Sequence, residues 1–96
     1  MDTKVKYIQL IKEVLEIWTN SSFLEGQDLK TESMYDEEKS RYMLITHGDD
    51  NGETVFDTIA SVKVSDQDQL VIEHNITDTD FKQMLVNKGV PISDIL

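Results

Sequence analysis

The chain has 96 residues, enough for one domain with a single core, and it contains no cysteine. Disulfides, thiolate zinc sites and cysteine nucleophiles are therefore excluded. The formal net charge is −10, and all of the excess negative charge lies in residues 20–96, because residues 1–19 carry three lysines and three acids. Such a surface repels a phosphate backbone, so we do not expect direct, tight binding of nucleic acid.

The acidity has two interpretations. It keeps the protein soluble, or it serves a partner with a basic face, such as a nucleic-acid-binding protein. The chain lacks an apolar run of the ~20 residues that cross a bilayer, and residues 1–6 lack the apolar stretch of a signal peptide. We therefore expect a cytoplasmic protein with no membrane partner.

Residues 3–18 carry apolar side chains at every third or fourth position, which predicts an amphipathic helix. Asp2 or Thr3 can accept hydrogen bonds from the first free backbone N–H groups, and Asn20-Ser21-Ser22 ends the helix. The apolar stripe is wide for a lone surface helix, so we expect it to cover a sheet and to leave a spare edge for a partner. Trp18 is either part of the core or an anchor for a partner.

Four segments alternate apolar and polar residues, as antiparallel strands with one covered face do. They are residues 29–35, 41–47, 54–64 and 70–74. A loop at residues 23–26 precedes them. Asn51-Gly52 predicts a tight hairpin between the second and third strands, because both residues tolerate positive φ. Polar turns at residues 36–40 and 66–68 make the other two connections.

The third strand is the longest, and its alternation predicts which side chains share a face. One face carries Phe56, Ala60, Val62 and Val64, and the other carries Val55, Ile59 and Ser61. Phe56 is therefore expected on the same side as the two valines that follow Ala60.

A second helix is predicted after the strands. The Thr77 hydroxyl is positioned to cap its first turn, and the helix runs to about Lys88. Gly89 supplies the left-handed residue that ends it. A further turn follows, with Ile95 and Leu96 tucked inward.

These elements together predict an α+β fold in a single domain, residues 1–96. Its order is an N-terminal helix, an antiparallel meander of three to four strands and a C-terminal helix. The unpaired edges of such a sheet, with the wide stripe on the first helix, are also compatible with a homodimer.

Little in the sequence points to a catalytic or metal centre. His47 and His74 lie in different strands without HxH or HxxxH spacing, so we interpret both as edge or surface residues. The carboxylates within residues 49–53 lack the spacing of an EF-hand, and Asp66 and Asp68 fit a solvated turn. There is no GxSxG elbow or glycine cluster. The sequence therefore predicts no catalytic, cofactor-binding or metal-binding residues and no enzymatic activity.

Four segments, in this order and spacing, carry a family resemblance. They are residues 7–15 (YIQLIKEVL), residues 35–44 (YDEEKSRYML), residues 69–75 (QLVIEHN) followed by Thr77, and Gly89-Val90-Pro91 with Asp94-Ile95. Across nearly the whole length, the chain resembles the XisI family, the fdxN-element excision controlling factors found mainly in cyanobacteria. It departs from the family pattern at Ser61 and Val71, where a histidine and a tryptophan are typical, and it stops at Leu96 without the usual tail.

The resemblance implies a non-catalytic accessory factor that acts by protein–protein contact. In the family, such a factor is required, with a nuclease-like companion called XisH, for a site-specific recombinase to excise a DNA element during heterocyst development. The implied partners are a XisH-like protein, the recombinase or both, and no functional residues are implied. Two alternatives stay open: an antitoxin-like inhibitor of a nuclease-like partner, and a small-ligand binder or enzyme that uses the open face of the sheet.

Overall fold

The computed structural model describes residues 2–20 and 28–96. The elements in chain order are α1 (Thr3–Asn20), β1 (Asp28–Asp36), β2 (Arg41–Asp50), β3 (Glu53–Val64), β4 (Leu70–Asn75), α2 (Phe81–Asn87) and a 3₁₀ turn (Ile92–Asp94). The four strands form one antiparallel sheet in sequential order, which confirms the predicted α+β meander. No helix in the described ranges is both long and apolar enough to span a membrane.

Helix α1 begins where the sequence predicts, because the Asp2 carboxylate accepts a hydrogen bond of 3.0 Å from the Lys4 backbone N–H. It continues two residues past the predicted end, to Asn20. Ser21 and Ser22, expected to end it, and the loop at residues 23–26 lie outside the described residues.

The predicted tight turns are confirmed by their backbone angles. Asn51 and Gly52, which join β2 to β3, have φ values of 52° and 89°. Both angles are in the left-handed region, where Asn and Gly are least strained. In the other two connections, Ser40 and Asp68 adopt φ values of 54° and 57°. Tight connections of this kind hold neighbouring strands side by side.

Strand β3 contains a β-bulge that the alternation rule does not predict. Leu44 of β2 pairs with Ala60, but the next residue, Ile45, pairs with Thr58, so Ile59 is an extra residue in β3. Such an insertion moves the side chain of every residue on one side of it to the opposite face of the sheet. The predicted grouping of Phe56 with Ala60 is therefore wrong: Phe56 pairs with His47 on the opposite face and is 64% exposed.

One face of the sheet, here called the helix side, packs against α1 and α2, and the other is here called the open face. The helix side and the two helices together form the core. The buried members are Tyr7, Ile11, Val14, Leu15, Tyr42, Leu44, Ala60, Val62, Val64, Leu70, Phe81, Leu85, Val90 and Ile95. On the sheet, these residues come from the first half of β2, the last half of β3 and the start of β4. The far end of the β2–β3 hairpin therefore lies beyond the core.

Helix α2 is capped by Asp80 and not by Thr77, which corrects the prediction. The Asp80 carboxylate accepts a 3.0 Å hydrogen bond from the Gln83 backbone N–H, so the helix begins at Phe81. The Thr77 hydroxyl instead donates to the Asn75 side chain. Thr77 does not cap the first turn, because it lies four residues before Phe81 and its hydroxyl bonds to Asn75 within the segment between β4 and α2.

The end of the chain was predicted to tuck both Ile95 and Leu96 inward, and this is wrong for Leu96. Helix α2 ends at Asn87, and Gly89, with φ of 106°, supplies the left-handed residue after it, as predicted. Ile95 then bridges to Leu70 in parallel and is buried, while the Leu96 backbone N–H donates to the Leu70 carbonyl at 2.7 Å. Successive residues of an extended segment point to opposite sides, so Leu96 is left 65% exposed.

A side-chain hydrogen bond joins the N-terminal helix α1 to the C-terminal 3₁₀ turn. The buried Tyr7 of α1 donates its hydroxyl to the carboxylate of Asp94 in the 3₁₀ turn. That hydrogen bond, together with burial, raises the pKa of Tyr7 to about 12. Burial and a bond to Glu37 likewise raise the pKa of Tyr42 to about 12. Both hydroxyls therefore keep their protons in the folded chain at pH values where an unfolded chain would release them.

This difference predicts a loss of stability at high pH. Between pH 10 and 12 the folded chain holds protons that the unfolded chain has released, so the free energy of unfolding should fall as pH rises through that window. Urea unfolding at each pH measures it. The Tyr7→Phe variant should show a shallower fall than the wild type, and an identical slope would contradict the assignment.

Replacing the cap of α2 should be more damaging than replacing its neighbour. We expect Asp80→Ala to lower the free energy of unfolding by about 1 kcal/mol, because the Gln83 N–H loses its acceptor. Asp78→Ala, an equal change of charge at an exposed site, should change it by less than about 0.5 kcal/mol. Equal effects in urea unfolding would show that Asp80 is not the cap.

Candidate functional site

A cluster of three polar side chains on the open face, Arg41, Ser61 and Glu73, is held together by hydrogen bonds among its members. Arg41 donates two hydrogen bonds, of 2.8 and 2.9 Å, to the carboxylate of Glu73, and Ser61 donates a third of 3.0 Å. The Arg41 guanidinium holds the pKa of Glu73 below its usual range. Glu73 reaches both because it is the extra residue of a bulge in β4, between Ile72 and His74. Ser61 therefore faces a carboxylate that is already neutralised, an arrangement that does not activate a nucleophile.

The two histidines lie on β2 and β4, with β3 between them, as the sequence predicts. His47 Nε2 is 3.3 Å from a carboxylate oxygen of Glu32, and its ring centroid is 6.5 Å from that of Phe56. His74 Nε2 is 3.1 Å from the Thr58 carbonyl oxygen. Among residues 2–20 and 28–96, no three His, Asp or Glu side chains are grouped so that they could hold a metal ion.

Ser61 and Val71 lie close together on the open face. Ser61 pairs with His74, and Val71 pairs with Lys63, so both belong to the same side of the β3–β4 ladder. Ser61 is buried and Val71 is half-buried.

A cleft of about 560 Å³ lies on the helix side of the sheet, beyond the end of α1. We use "the cleft" below for the space lined by Trp18, Leu29, Thr46, Asp50, Val55, Asp57, Ile59 and residues 76–79. Its floor is the far half of the β2–β3 hairpin, which α1 does not cover. One wall is the last turn of α1, and the opposite wall is the segment between β4 and α2.

The bulge at Ile59 determines which side chains form the floor. Upstream of the bulge, the phase of β3 is reversed, and Val55, Asp57 and Ile59 line the cleft on the helix side. Strict alternation predicts Val55 and Ile59 on the face opposite Ala60, and this is wrong for both. The apolar floor of the cleft is thus a direct product of that one inserted residue.

The wall at residues 76–79 is held in place by a hydrogen-bond network around Asn75. Its amide nitrogen donates to the Thr79 carbonyl at 2.7 Å, and its amide oxygen accepts from both the backbone and the hydroxyl of Thr77, at 2.9 and 2.6 Å. The indole N–H of Trp18 donates to the Thr79 hydroxyl at 2.9 Å, which links this wall to α1. Ile76, at the mouth of the cleft, is left 65% exposed.

Three carboxylates line the cleft, from Asp50, Asp57 and Asp78. The ion pairs found within the described ranges all involve other acids. They are Lys12–Glu37, Arg41–Glu73 and Lys88–Glu13, and His47 forms a fourth with Glu32 only when its imidazole is protonated. The local sequence is also poor in counter-charges, because residues 42–81 hold nine acids and a single Lys or Arg, Lys63. The cleft therefore combines an apolar part, formed by Val55, Ile59 and Ile76, with three exposed carboxylates, here called the rim.

The sequence did not predict the cleft. It left Trp18 open between core and partner anchor, and the structure shows the residue half-buried, packed against the core and lining the cleft. Two signals were present: an isoleucine, Ile76, within the polar segment 75–80, and the near absence of Lys and Arg over residues 42–81. Neither signal predicts a cleft without the reversed phase of β3.

The bond between Trp18 and Thr79 gives a prediction about the cleft wall. Because Trp18 is the only tryptophan, its indole N–H gives a single resonance in a ¹⁵N-labelled protein. Thr79→Val removes the acceptor while keeping the shape, so the resonance should shift and exchange faster with water. Stability should fall by roughly 0.5–1.5 kcal/mol. Thr54→Val, at an exposed position outside the cleft lining, serves as the control, and an unchanged indole resonance in Thr79→Val would contradict the bond.

Comparisons with known proteins bear on the fold and the family. A family model described as XisI protein matches residues 1–96. The crystal structure of a XisI-like protein from Anabaena variabilis superposes with a TM-score of 0.85 at 25% identity, covering 97% of this chain and 84% of that one. The fdxN element excision controlling factor XisI from the same organism gives a TM-score of 0.80 at 20% identity, covering 99% and 90%, and shows a shared fold. No curated protein matches the chain.

Proposed function

Since the chain belongs to the XisI family, we propose that it is a non-catalytic accessory protein that controls the site-specific excision of a DNA element. It acts through contact with another protein, either a XisH-like companion or the recombinase. The observation that carries this proposal is the family match over the whole of residues 1–96. The structural neighbour described as an excision controlling factor is consistent with it.

The charge distribution supports contact with a protein rather than with DNA. The chain has nine basic residues against nineteen acids. Lys12, Arg41 and Lys88 are within ion-pair distance of carboxylates. Binding to a phosphate backbone depends on clustered, available Lys and Arg side chains, and these pairs reduce that availability.

The open face supports a role without catalysis. The polar cluster of Arg41, Ser61 and Glu73 on this face is bonded within itself. A catalytic site would instead hold a nucleophile beside a base, or two acids whose pKa values are driven apart. The apolar cleft with its charged rim, in contrast, resembles the pockets in which proteins bind side chains of a partner.

The proposal predicts that excision depends on this chain. A bacterial host that lacks these proteins would carry a reporter element, its recombinase and the XisH-like companion, with or without the chain. We expect the rejoined junction, detected by PCR, only when the chain is expressed, and co-purification of the companion or the recombinase with it. Equal excision in both hosts would refute the role in excision control.

A gel-shift assay with DNA from the ends of the element tests the mode of action. The purified chain alone should leave the DNA unshifted at physiological salt, because its net charge opposes binding. It should change the shift produced by the companion or recombinase. A tight complex between the chain alone and the DNA would contradict the proposed protein contact and would show that the chain acts by binding DNA directly.

A further inference from the structure

We infer that the cleft binds a basic amphipathic segment of the partner protein. Apolar side chains of that segment rest against Val55, Ile59 and Ile76, and Lys or Arg side chains beside them face Asp57 and Asp78. The inference rests on the proposed function, to which it adds the place of contact and the chemistry of the contacting segment.

The apolar part of the cleft selects what can enter. Ile76 is 65% exposed at the mouth, above the half-buried Val55 and Ile59. Covering these side chains removes apolar surface from water, which is the main favourable term in protein association. The volume of about 560 Å³ is within the range of pockets that hold drug-sized molecules, roughly 300–1,000 Å³. It accommodates a few side chains of a peptide segment but not a folded domain.

The charge of the rim selects a basic occupant. Asp50, Asp57 and Asp78 have no ion-pair partner within the described parts of the chain. Lys63, the only Lys or Arg in 42–81, is the register partner of Arg41 and lies on the open face, away from the cleft. Residues 21–27, which connect α1 to β1, contain no Lys or Arg, so that segment cannot neutralise the rim either. The three exposed carboxylates are therefore left to water in the described chain and are available to pair with Lys or Arg side chains of another molecule.

The same charge argues against two other occupants. A second copy of the chain docking through its own cleft would bring one acidic rim against an identical one, and like charges across an interface are unfavourable. A nucleic acid would be repelled by the rim in the same way. A Lys- or Arg-rich segment with apolar side chains on one side satisfies both the floor and the rim.

The first test uses three synthetic peptides and the ¹⁵N-labelled protein. One peptide carries Leu and Lys in a helical amphipathic pattern, the second replaces every Lys by Glu, and the third is a scrambled Leu/Lys sequence. We expect the first to bind most tightly and to shift the Trp18 indole resonance together with the backbone resonances of residues 76–79. Shifts confined to other surfaces, or equal binding of the scrambled peptide, would overturn the inference.

Matched variants separate the cleft from the general acidity of the protein. Asp57→Asn with Asp78→Asn should weaken binding of the amphipathic Leu/Lys peptide by roughly three- to tenfold, as expected for two exposed charge pairs. Asp66→Asn with Asp68→Asn removes the same charge from the β3–β4 turn and should change affinity by less than about twofold. Equal weakening by the two double variants would overturn the inference, because attraction to net charge alone would then explain binding.

Two similarly exposed isoleucines provide a matched test of the apolar part of the cleft. Ile76 and Ile92 are 65% and 64% exposed, but only Ile76 lines the cleft. Ile76→Ser should weaken the same peptide by roughly tenfold, while Ile92→Ser should leave its affinity unchanged. Urea unfolding of each variant checks that the fold is intact. A dimer of the wild type that Ile76→Ser dissolves, seen by light scattering, would make the cleft a contact between copies and overturn the inference.

The excision assay distinguishes failure of this inference from failure of the proposed function. If the variants Asp57→Asn/Asp78→Asn and Ile76→Ser support excision and bind the companion or recombinase as the wild type does, the cleft is not the contact site, although the function stands. If the wild type neither promotes excision nor binds either protein, the proposed function itself fails. Selective loss of excision and partner binding in these variants, but not in their controls, supports both.

Discussion

The inserted residue in β3 governs both the core and the cleft. Downstream of Ile59, the strand turns Ala60, Val62 and Val64 toward the helices, and upstream it turns Val55 and Asp57 toward the same side. Because the side-chain period of a strand is two, a single extra residue is enough to exchange the two faces. A regular β3 with the same hairpin turn could not keep the valines of the core and the floor of the cleft on one side.

The walls of the cleft depend on bonds that connect distant parts of the chain. Asn75 shapes the segment before α2, and Trp18 joins that segment to α1. Each bond has one partner on α1 or at the edge of β4. The helix thus serves both as the cover of the core and as the support for one wall of the cleft. The open face, in contrast, is organised by the local cluster around Glu73.

Local patterns predicted the elements well, because alternation, the Asn51-Gly52 turn and the helix-ending Gly89 each depend on neighbouring residues. The errors concern features that tertiary pairing decides. The predicted face of Phe56 is wrong because the bulge appears only in the pairing of β2 with β3. Thr77 was predicted as the cap of α2 because its side-chain network with Asn75 is not visible in sequence. The cleft was missed for the same reason: its lining comes from α1, β1, the hairpin and the segment before α2.

The bulge also bears on how the sheet assembles. The β2–β3 register that starts at the Asn51-Gly52 turn holds as far as Thr58, and the register from Ala60 to Lys63 is offset from it by one residue. The strand is completed only when one residue is left without a partner on β2, and Ile59 is that residue. Neither register can extend across Ile59 without moving the core residues of β3 to the other face, so the complete β2–β3 ladder requires both registers to form.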